Sequence, residues 1–318
     1  MDGADDTKRG WTGRLLDLAA RLSGRGGRRS ERTERILLGL AVVVFAGSAI
    51  IAWRQLPELQ ESPDLRWAAV VAALGALALA INGREFAWSA RILGSPVDGR
   101  EALRVSTLSS AANVLPIPGS VAIRTRALLQ GGQPLKTAAA VTAAVGVAWV
   151  AAAALIACVL ALALDETLLA LGTGVGGLVG GTAAVLVLRR AAPRVTGRDL
   201  AELALIEVVS VAASGTRLFV VAVTFGFGVS FGQAVTVNLG GILSNVAGFL
   251  PGGLGLREIT SGAFGVLVGV PASIGVLMAA ADRLLFYVVL AVVALAMVRG
   301  GTGDIQRLTD DEITEDVS

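Results

Sequence analysis

Pro118-Gly119-Ser120-Val121-Ala122-Ile123-Arg124 and Pro251-Gly252-Gly253-Leu254-Gly255-Leu256-Arg257 are two copies of one pattern: Pro-Gly, four residues, Arg. Each follows an Asn, Asn113 and Asn245, and each sits inside a long apolar region, 105–129 and 231–270. Proline lacks an amide hydrogen and disrupts a continuing helix. Glycine allows a tight backbone turn. Broken backbone at membrane depth is tolerated only where it is buried in protein or lines a wet cavity. Matched breaks in two halves of a membrane protein point to a transporter's binding site.

The surrounding sequence has the composition of a membrane protein. Of its 318 residues, 54% are hydrophobic and 16% charged, where soluble domains carry about 25% charged residues. Mean hydropathy is +0.71. The apolar residues fall in blocks at 36–53, 67–81, 137–164, 168–188, 203–229 and 273–298. These approach or exceed the ~17–25 residues that span hydrocarbon, and so many long blocks exceed what one soluble core of this size buries. The expected fold class is all-α: a polytopic helical membrane protein of about six spans plus two broken, re-entrant helical hairpins.

Arginine placement sets the expected topology. Residues 1–35 carry nine Lys and Arg side chains and read as a basic cytoplasmic segment. Within it Trp11, Leu15, Leu18 and Leu22 share a helical face suited to an anionic lipid surface, and a solvated basic tail is the competing reading. Residues 36–298 form the transmembrane domain, and 299–318 an acidic, disordered cytoplasmic tail. Arg84, Arg91, Arg100 and Arg104 return to the cytoplasmic side, as do Arg189, Arg190, Arg194 and Arg198. Three spans, an odd number, then separate the two Pro-Gly motifs, so re-entrant hairpins there enter from opposite faces as an inverted repeat; the alternative, a pair of short full spans in either region, keeps its ends on one side and the same parity. Both termini are expected in the cytoplasm and the protein in the cell membrane.

The candidate site follows from the breaks. Gly119 and Gly252 are expected to open second half-helices, whose unpaired amides and positive dipole end favour an anion. Arg124 and Arg257 lie further along, and guanidinium suits bidentate phosphate contact. Arg217, Asp282 and Arg283 fall inside spans and Glu258 adjoins Arg257. Charges at such depth are costly and pair with one another. Arg124, Arg217, Arg257 and Arg283 against Glu258 and Asp282 leave a positive excess suited to an anionic headgroup. The competing reading is a set of structural ion pairs that fix helix register. Asn113, Pro118, Asn245, Pro251 and Gly253 complete the expected substrate-binding set. Glu207 reads as interfacial. Gly172, Gly176 and Gly180 read as a helix-packing series, with Gly177 and Gly181 beside them.

The chain contains no His, and its single Cys158 allows no intrachain disulfide. It shows no metal-ligand spacing, phosphate loop or nucleophile elbow. No catalytic residue, metal, cofactor or nucleic-acid partner is expected, and the chain is read as a non-enzyme.

Asn113-Val114-Leu115-Pro116-Ile117-Pro118-Gly119 with Arg124, and Phe249-Leu250-Pro251-Gly252-Gly253-Leu254-Gly255-Leu256-Arg257-Glu258 with a later Asp282-Arg283, resemble the lysylphosphatidylglycerol synthase transmembrane-region family. These are flippase-like integral membrane proteins, and the likeness covers most of the chain from the first span to Val298. The resemblance implies movement across the bilayer of an anionic lipid, either an aminoacylated phospholipid or a polyprenyl-phosphate-linked glycan. The alternative is a non-transporting membrane partner that anchors a separate lipid synthase or glycosyltransferase. The family often carries a Glu-Arg pair in the span after the first motif, whereas this chain has Gly146-Val147-Ala148-Trp149 there. No aminoacyl-transferase domain follows Val298, so the synthase activity of fused relatives is not expected.

Overall fold

A computed structural model describes residues 66–112, 119–246 and 255–300. The basic segment, the first expected span and the acidic tail beyond Gly300 lie outside these residues, as do Asn113, Pro118, Pro251, Gly252 and Gly253. The described residues form nine helices and no strand. They are α1 (Arg66–Ile92), α2 (Gly99–Ala112), α3 (Gly119–Gln130), α4 (Leu135–Ala163), α5 (Thr167–Ala191), α6 (Gly197–Thr224), α7 (Phe231–Val246), α8 (Leu256–Leu267) and α9 (Ala272–Gly300).

Five of them, α1, α4, α5, α6 and α9, are long and apolar enough to cross a membrane. Their outer faces agree with that. Leu168, Leu171, Val175 and Leu178 on α5, and Leu284, Val288, Val292 and Leu295 on α9, are all exposed. They recur every three or four residues, which makes a continuous apolar stripe. Water disfavours such a surface, and lipid chains cover it. The protein is an all-α, multi-pass membrane protein.

Two helices differ in extent from the hydropathy blocks. α1 continues eleven residues past Ile81, to Ile92, because Phe86, Trp88 and Ala90 keep a buried face while polar side chains share its turns. α6 starts at Gly197 and stops at Thr224, not at 203 and 229. Its start is fixed by a capping box: Thr196 Oγ1 accepts from the Asp199 amide at 3.2 Å, and Asp199 Oδ2 accepts from the Thr196 amide at 2.9 Å. Such reciprocal caps satisfy two otherwise unpaired donors.

The two interrupted regions are pairs of short helices, α2 with α3 and α7 with α8, and the members of each pair pack together. Twelve to sixteen residues per helix give about 18–24 Å at ~1.5 Å per residue, short of the ~30 Å hydrocarbon thickness. Each pair begins and ends at one place. Ser95, before α2, donates to the Gly131 carbonyl after α3 at 2.8 Å, and Gln133 Nε2 donates to the Leu93 carbonyl at 2.9 Å. In the second pair Gln233 Nε2, at the start of α7, donates to the Val268 carbonyl after α8 at 2.8 Å. Both are hairpins.

The hairpins open at opposite ends of α6. Arg91 bonds Glu202 at 2.5 Å and Trp88 Nε1 bonds the Asp199 carbonyl at 3.0 Å, so the end of α1 and the open end of the first hairpin lie beside the start of α6. The second hairpin opens just after Thr224, where α6 finishes. Three long helices, α4, α5 and α6, separate the pairs, and the expected parity holds.

α6 is the central element: 56% of its most apolar window is buried, against 17% for peripheral α5. Helices α7, α8 and α9 meet through glycines. A Cβ at Gly240 would lie 2.5 Å from the Thr260 carbonyl oxygen, and one at Gly275 would lie 2.9 Å from Gly262 Cα. Small residues permit this backbone contact. On α5 the packing face differs from the expected series. Gly177 abuts Leu155 and the Ala151 carbonyl, Gly174 faces Cys158, and Gly180 and Gly181 face Ala151, while Gly172 and Gly176 face open space. Gly174, Gly177 and Gly181 repeat at three and four residues, the helical neighbour spacing; Gly176 lies about 100° round the helix from Gly177.

Candidate functional site

The second hairpin, α6 and α9 bring five of the expected charges together. Asp282, in the eleventh position of α9, is 1% exposed and lies between two arginines. Its Oδ1 accepts from Arg217 Nε at 2.5 Å, and its Oδ2 accepts from Arg217 Nη2 and from Arg257 Nη2, both at 2.9 Å. The Arg217 guanidinium also rests 4.7 Å from the centre of the Phe286 ring, one turn beyond Asp282. That stack adds a cation–π contact to the ion pair.

Glu258, fully buried, performs two tasks. Its Oε2 accepts from the Gly255 amide at 2.7 Å, and its Oε1 lies 3.2 Å from Arg283 Nη1. Adjacent residues of α8, Arg257 and Glu258, therefore reach adjacent residues of α9, Asp282 and Arg283, in a crossed double pair. Three guanidinium groups and two carboxylates give a net charge of +3 − 2 = +1. This cluster by itself carries an excess of one cation.

Arg257 is the most accessible cation of this set. Its side chain is 20% exposed, against 6% for Arg217 and 6% for Arg283. Its Nε is buried with no hydrogen-bond partner, so the guanidinium has spare donor capacity. Gly241 on α7 lies over it: a Cβ there would come 3.1 Å from that Nε.

Arg124 is elsewhere. It forms a short ion pair with Glu85 of α1, both side chains being largely buried. It joins neither Asp282 nor Glu258, so the expected single set divides in two. The reason is positional: α3 packs on α2 and α4, whereas α8 packs on α7 and α9. Like Arg257, Arg124 has a buried Nε without a partner.

The half-helix starts are only partly as expected. α3 is helical from Gly119. The second half-helix opens at Leu256 rather than Gly252, with Gly255 as its cap at φ 83°, a backbone conformation that glycine adopts without a Cβ penalty. Glu258, three residues beyond the cap, already occupies one of its amides. Arg257 is thus the second residue of its helix and Arg124 the sixth of its own, so the two motifs are not superposable in detail. Asn245 lies in the last turn of α7.

Two further acids are buried. Glu207 is 1% exposed rather than interfacial, and Glu85 is 5% exposed inside α1. Glu85 lay just past the apolar block in sequence, yet Ile81, Glu85 and Trp88 stand on one helical face, spaced by four and three residues; all three are buried. That periodicity was the available signal.

No protein-family model matches the chain, and none of the curated proteins is similar to it.

Proposed function

We propose that this protein is a flippase-like transporter that moves an anionic lipid across the cell membrane, as its resemblance to the lysylphosphatidylglycerol synthase transmembrane-region family implies. One observation carries the reading. A buried charge cluster with a net positive charge sits where a hairpin helix begins at a break in the membrane domain, and its most accessible cation, Arg257, retains an unused donor. A phosphate entering beside Arg257 meets a guanidinium already held in place by Asp282. The inverted hairpins supply the two-sided symmetry that alternating access needs. Arg217 and Arg283 hold the frame, and Arg257 binds. The substrate class is an aminoacylated phospholipid or a polyprenyl-phosphate-linked glycan, and both termini face the cytoplasm.

The test is transport by purified protein in liposomes, read as the rate at which a labelled anionic lipid becomes accessible to a quencher in the opposite leaflet. Wild type should exceed empty liposomes. Arg257→Ala should abolish the excess and Arg257→Lys should impair it, because an ammonium lacks the planar bidentate fork. If folded wild type moves no anionic phospholipid or polyprenyl phosphate, with or without an ion gradient, the partner-anchoring role replaces transport.

A further inference from the structure

The first hairpin has a charge balance opposite to that of the second. Arg124 pairs with Glu85. Glu207 of α6 faces the same region: Ile81 and Trp88, on either side of Glu85, pack in one cluster with Leu203 and Ile206, beside Glu207, and Glu207 lies within electrostatic reach of both members of the pair. Glu207 is 1% exposed, and neither of its carboxylate oxygens has a hydrogen-bond partner. Two carboxylates against one guanidinium give 1 − 2 = −1 if both are ionised. An uncompensated charge buried in a membrane domain is costly.

Among the described residues the other charged groups on the surrounding helices point elsewhere: Arg100, Arg104 and Glu101 of α2, Arg126 of α3 and Arg198 of α6 are exposed, and Arg104 pairs with Glu101. On α1, Arg84 and Arg91 are spent on Glu202, at 2.7 and 2.5 Å, and are well exposed. On α6 itself, Asp199 and Glu202 belong to that same surface group, and Arg217 is ten residues on, about 15 Å along the axis, bound to Asp282. Asp282, Arg283 and Tyr287 of α9 lie at that farther level. On α5, Arg189 and Arg190 are exposed at the helix end, α4 has only Lys136 in its first turn, and α7 has no ionisable residue. The other side of Glu207 is apolar. It is the one ionisable residue in the wall of a cavity of about 470 Å³ between α4, α5 and α6, otherwise lined by residues such as Ala148, Leu155, Val159, Ala184 and Leu203.

We infer that Glu85, Arg124 and Glu207 form a proton-binding site inside the membrane domain, in which one proton serves two carboxylates and rests on Glu207 while Arg124 is on Glu85. The site is then neutral: one guanidinium, one carboxylate and one carboxylic acid. If Arg124 turns to Glu207, the proton must pass to Glu85. If Arg124 leaves for an external anion, the vacated carboxylate must take one proton from the aqueous phase, so anion and proton enter together. That last use, proton-coupled uptake, rests on the transport function proposed above; the proton site does not.

The test uses full-length wild type in liposomes and a hydrophobic carbodiimide, dicyclohexylcarbodiimide. The reagent adds across a protonated carboxyl: the acid oxygen bonds to the central carbon, the acid proton goes to nitrogen, and the adduct rearranges to a stable acylurea. The cavity gives the reagent a route from hydrocarbon. Peptide mass spectrometry should place the adduct on Glu207, with a labelling rate that falls about tenfold per pH unit once the site is mostly ionised. A water-soluble carbodiimide should leave Glu207 unmodified. Glu85→Gln should slow labelling of Glu207 about tenfold or more at fixed pH, because Arg124 then has Glu207 as its carboxylate. A merely structural Glu207 has no reason to respond to that change. No adduct on Glu207, a rate independent of pH, or suppression by sodium at constant pH overturns the proton site. Labelling as expected with no lipid movement by the same preparation leaves the site standing and overturns transport.

Discussion

Asp282→Asn is the sharpest perturbation of the second cluster, because it keeps the shape of the side chain and removes its charge. Asp282 accepts three charge-assisted hydrogen bonds, at 2.5, 2.9 and 2.9 Å, and is 1% exposed. The amide nitrogen of Asn would point at a guanidinium, so at least one bond becomes a donor–donor contact. Loss of one partner from a buried ion pair costs about 3–5 kcal/mol, since the remaining charge is stranded. Here the stranded charges would be Arg217 and Arg257, with Arg283 already nearby. At roughly 2–4 °C per kcal/mol, the apparent melting midpoint in detergent should fall by about 6 °C or more. Arg217→Gln should abolish much of the same interaction, so the double variant should fall short of additivity by about 1–3 kcal/mol. Arg257→Gln should couple to Asp282 less strongly, having one bond to it where Arg217 has two. The assay is a thermal-shift cycle on detergent-purified protein, monitored by size-exclusion fluorescence. A stability of Asp282→Asn within about 0.5 kcal/mol of wild type, or strict additivity with Arg217→Gln, would refute the claim that this carboxylate holds α6, α8 and α9 together.

Further expectations concern topology, packing and the contrast between hairpins. In a Cys158→Ala background, single cysteines at Ser120 and Gly253 should be labelled by impermeant reagents from opposite sides of the membrane; labelling of both from one side removes the inverted repeat. Gly240→Ala should destabilise by about 1–3 kcal/mol through overpacking, because its Cβ would meet the Thr260 carbonyl at 2.5 Å. Gly172→Ala, which faces open space, should be neutral or stabilising by up to ~1 kcal/mol from helix propensity; thermal shifts separate the two. Arg124→Gln should lower the melting midpoint more than Arg257→Gln. The first leaves Glu85 without its ion-pair partner, while the second leaves Asp282 still bound to Arg217. Equal midpoints would count against the two-cluster division.

The spans were legible because hydrocarbon demands continuous apolar sequence, and that demand is local. Blocks 137–164, 168–188 and 273–298 correspond to α4, α5 and α9 with only small changes at their ends. The hairpins were legible from the Pro-Gly breaks for the same reason. Hydropathy gave out where a helix carries polar residues without leaving the protein. The stretch Asn82-Gly83-Arg84-Glu85 looks like a loop after a span, yet α1 continues through it because Phe86 and Trp88 are buried on neighbouring helices. The start of α8 was missed through cap chemistry: Glu258 bonds the Gly255 amide, so the helix opens after the third glycine and not the first. Asp282 and its arginines were legible as a set from the cost of intramembrane charge. Which arginine belonged to which acid was not, since pairing depends on helix neighbours far apart in the chain.

The division of the charges changes what the repeated motif means. Had Arg124 and Arg257 met one common set of acids, the two copies would be interchangeable. Instead Arg257 enters a cluster with an excess cation and Arg124 a cluster with an excess carboxylate, at two levels of the same helix α6. Under the proposed function, the second hairpin would therefore attract an anion as it stands, and the first only after an acid is neutralised. Because Arg217 and Glu207 share α6, a shift of that helix relative to α1 or α9 would disturb both clusters together. Sequence symmetry between the hairpins thus gives the fold its inversion, and the unequal acids on α1, α6 and α9 give its two ends different chemistry. Under the transport function proposed above, an anion would therefore meet different chemistry at the two ends, which a purely symmetric pair of phosphate sites would not supply.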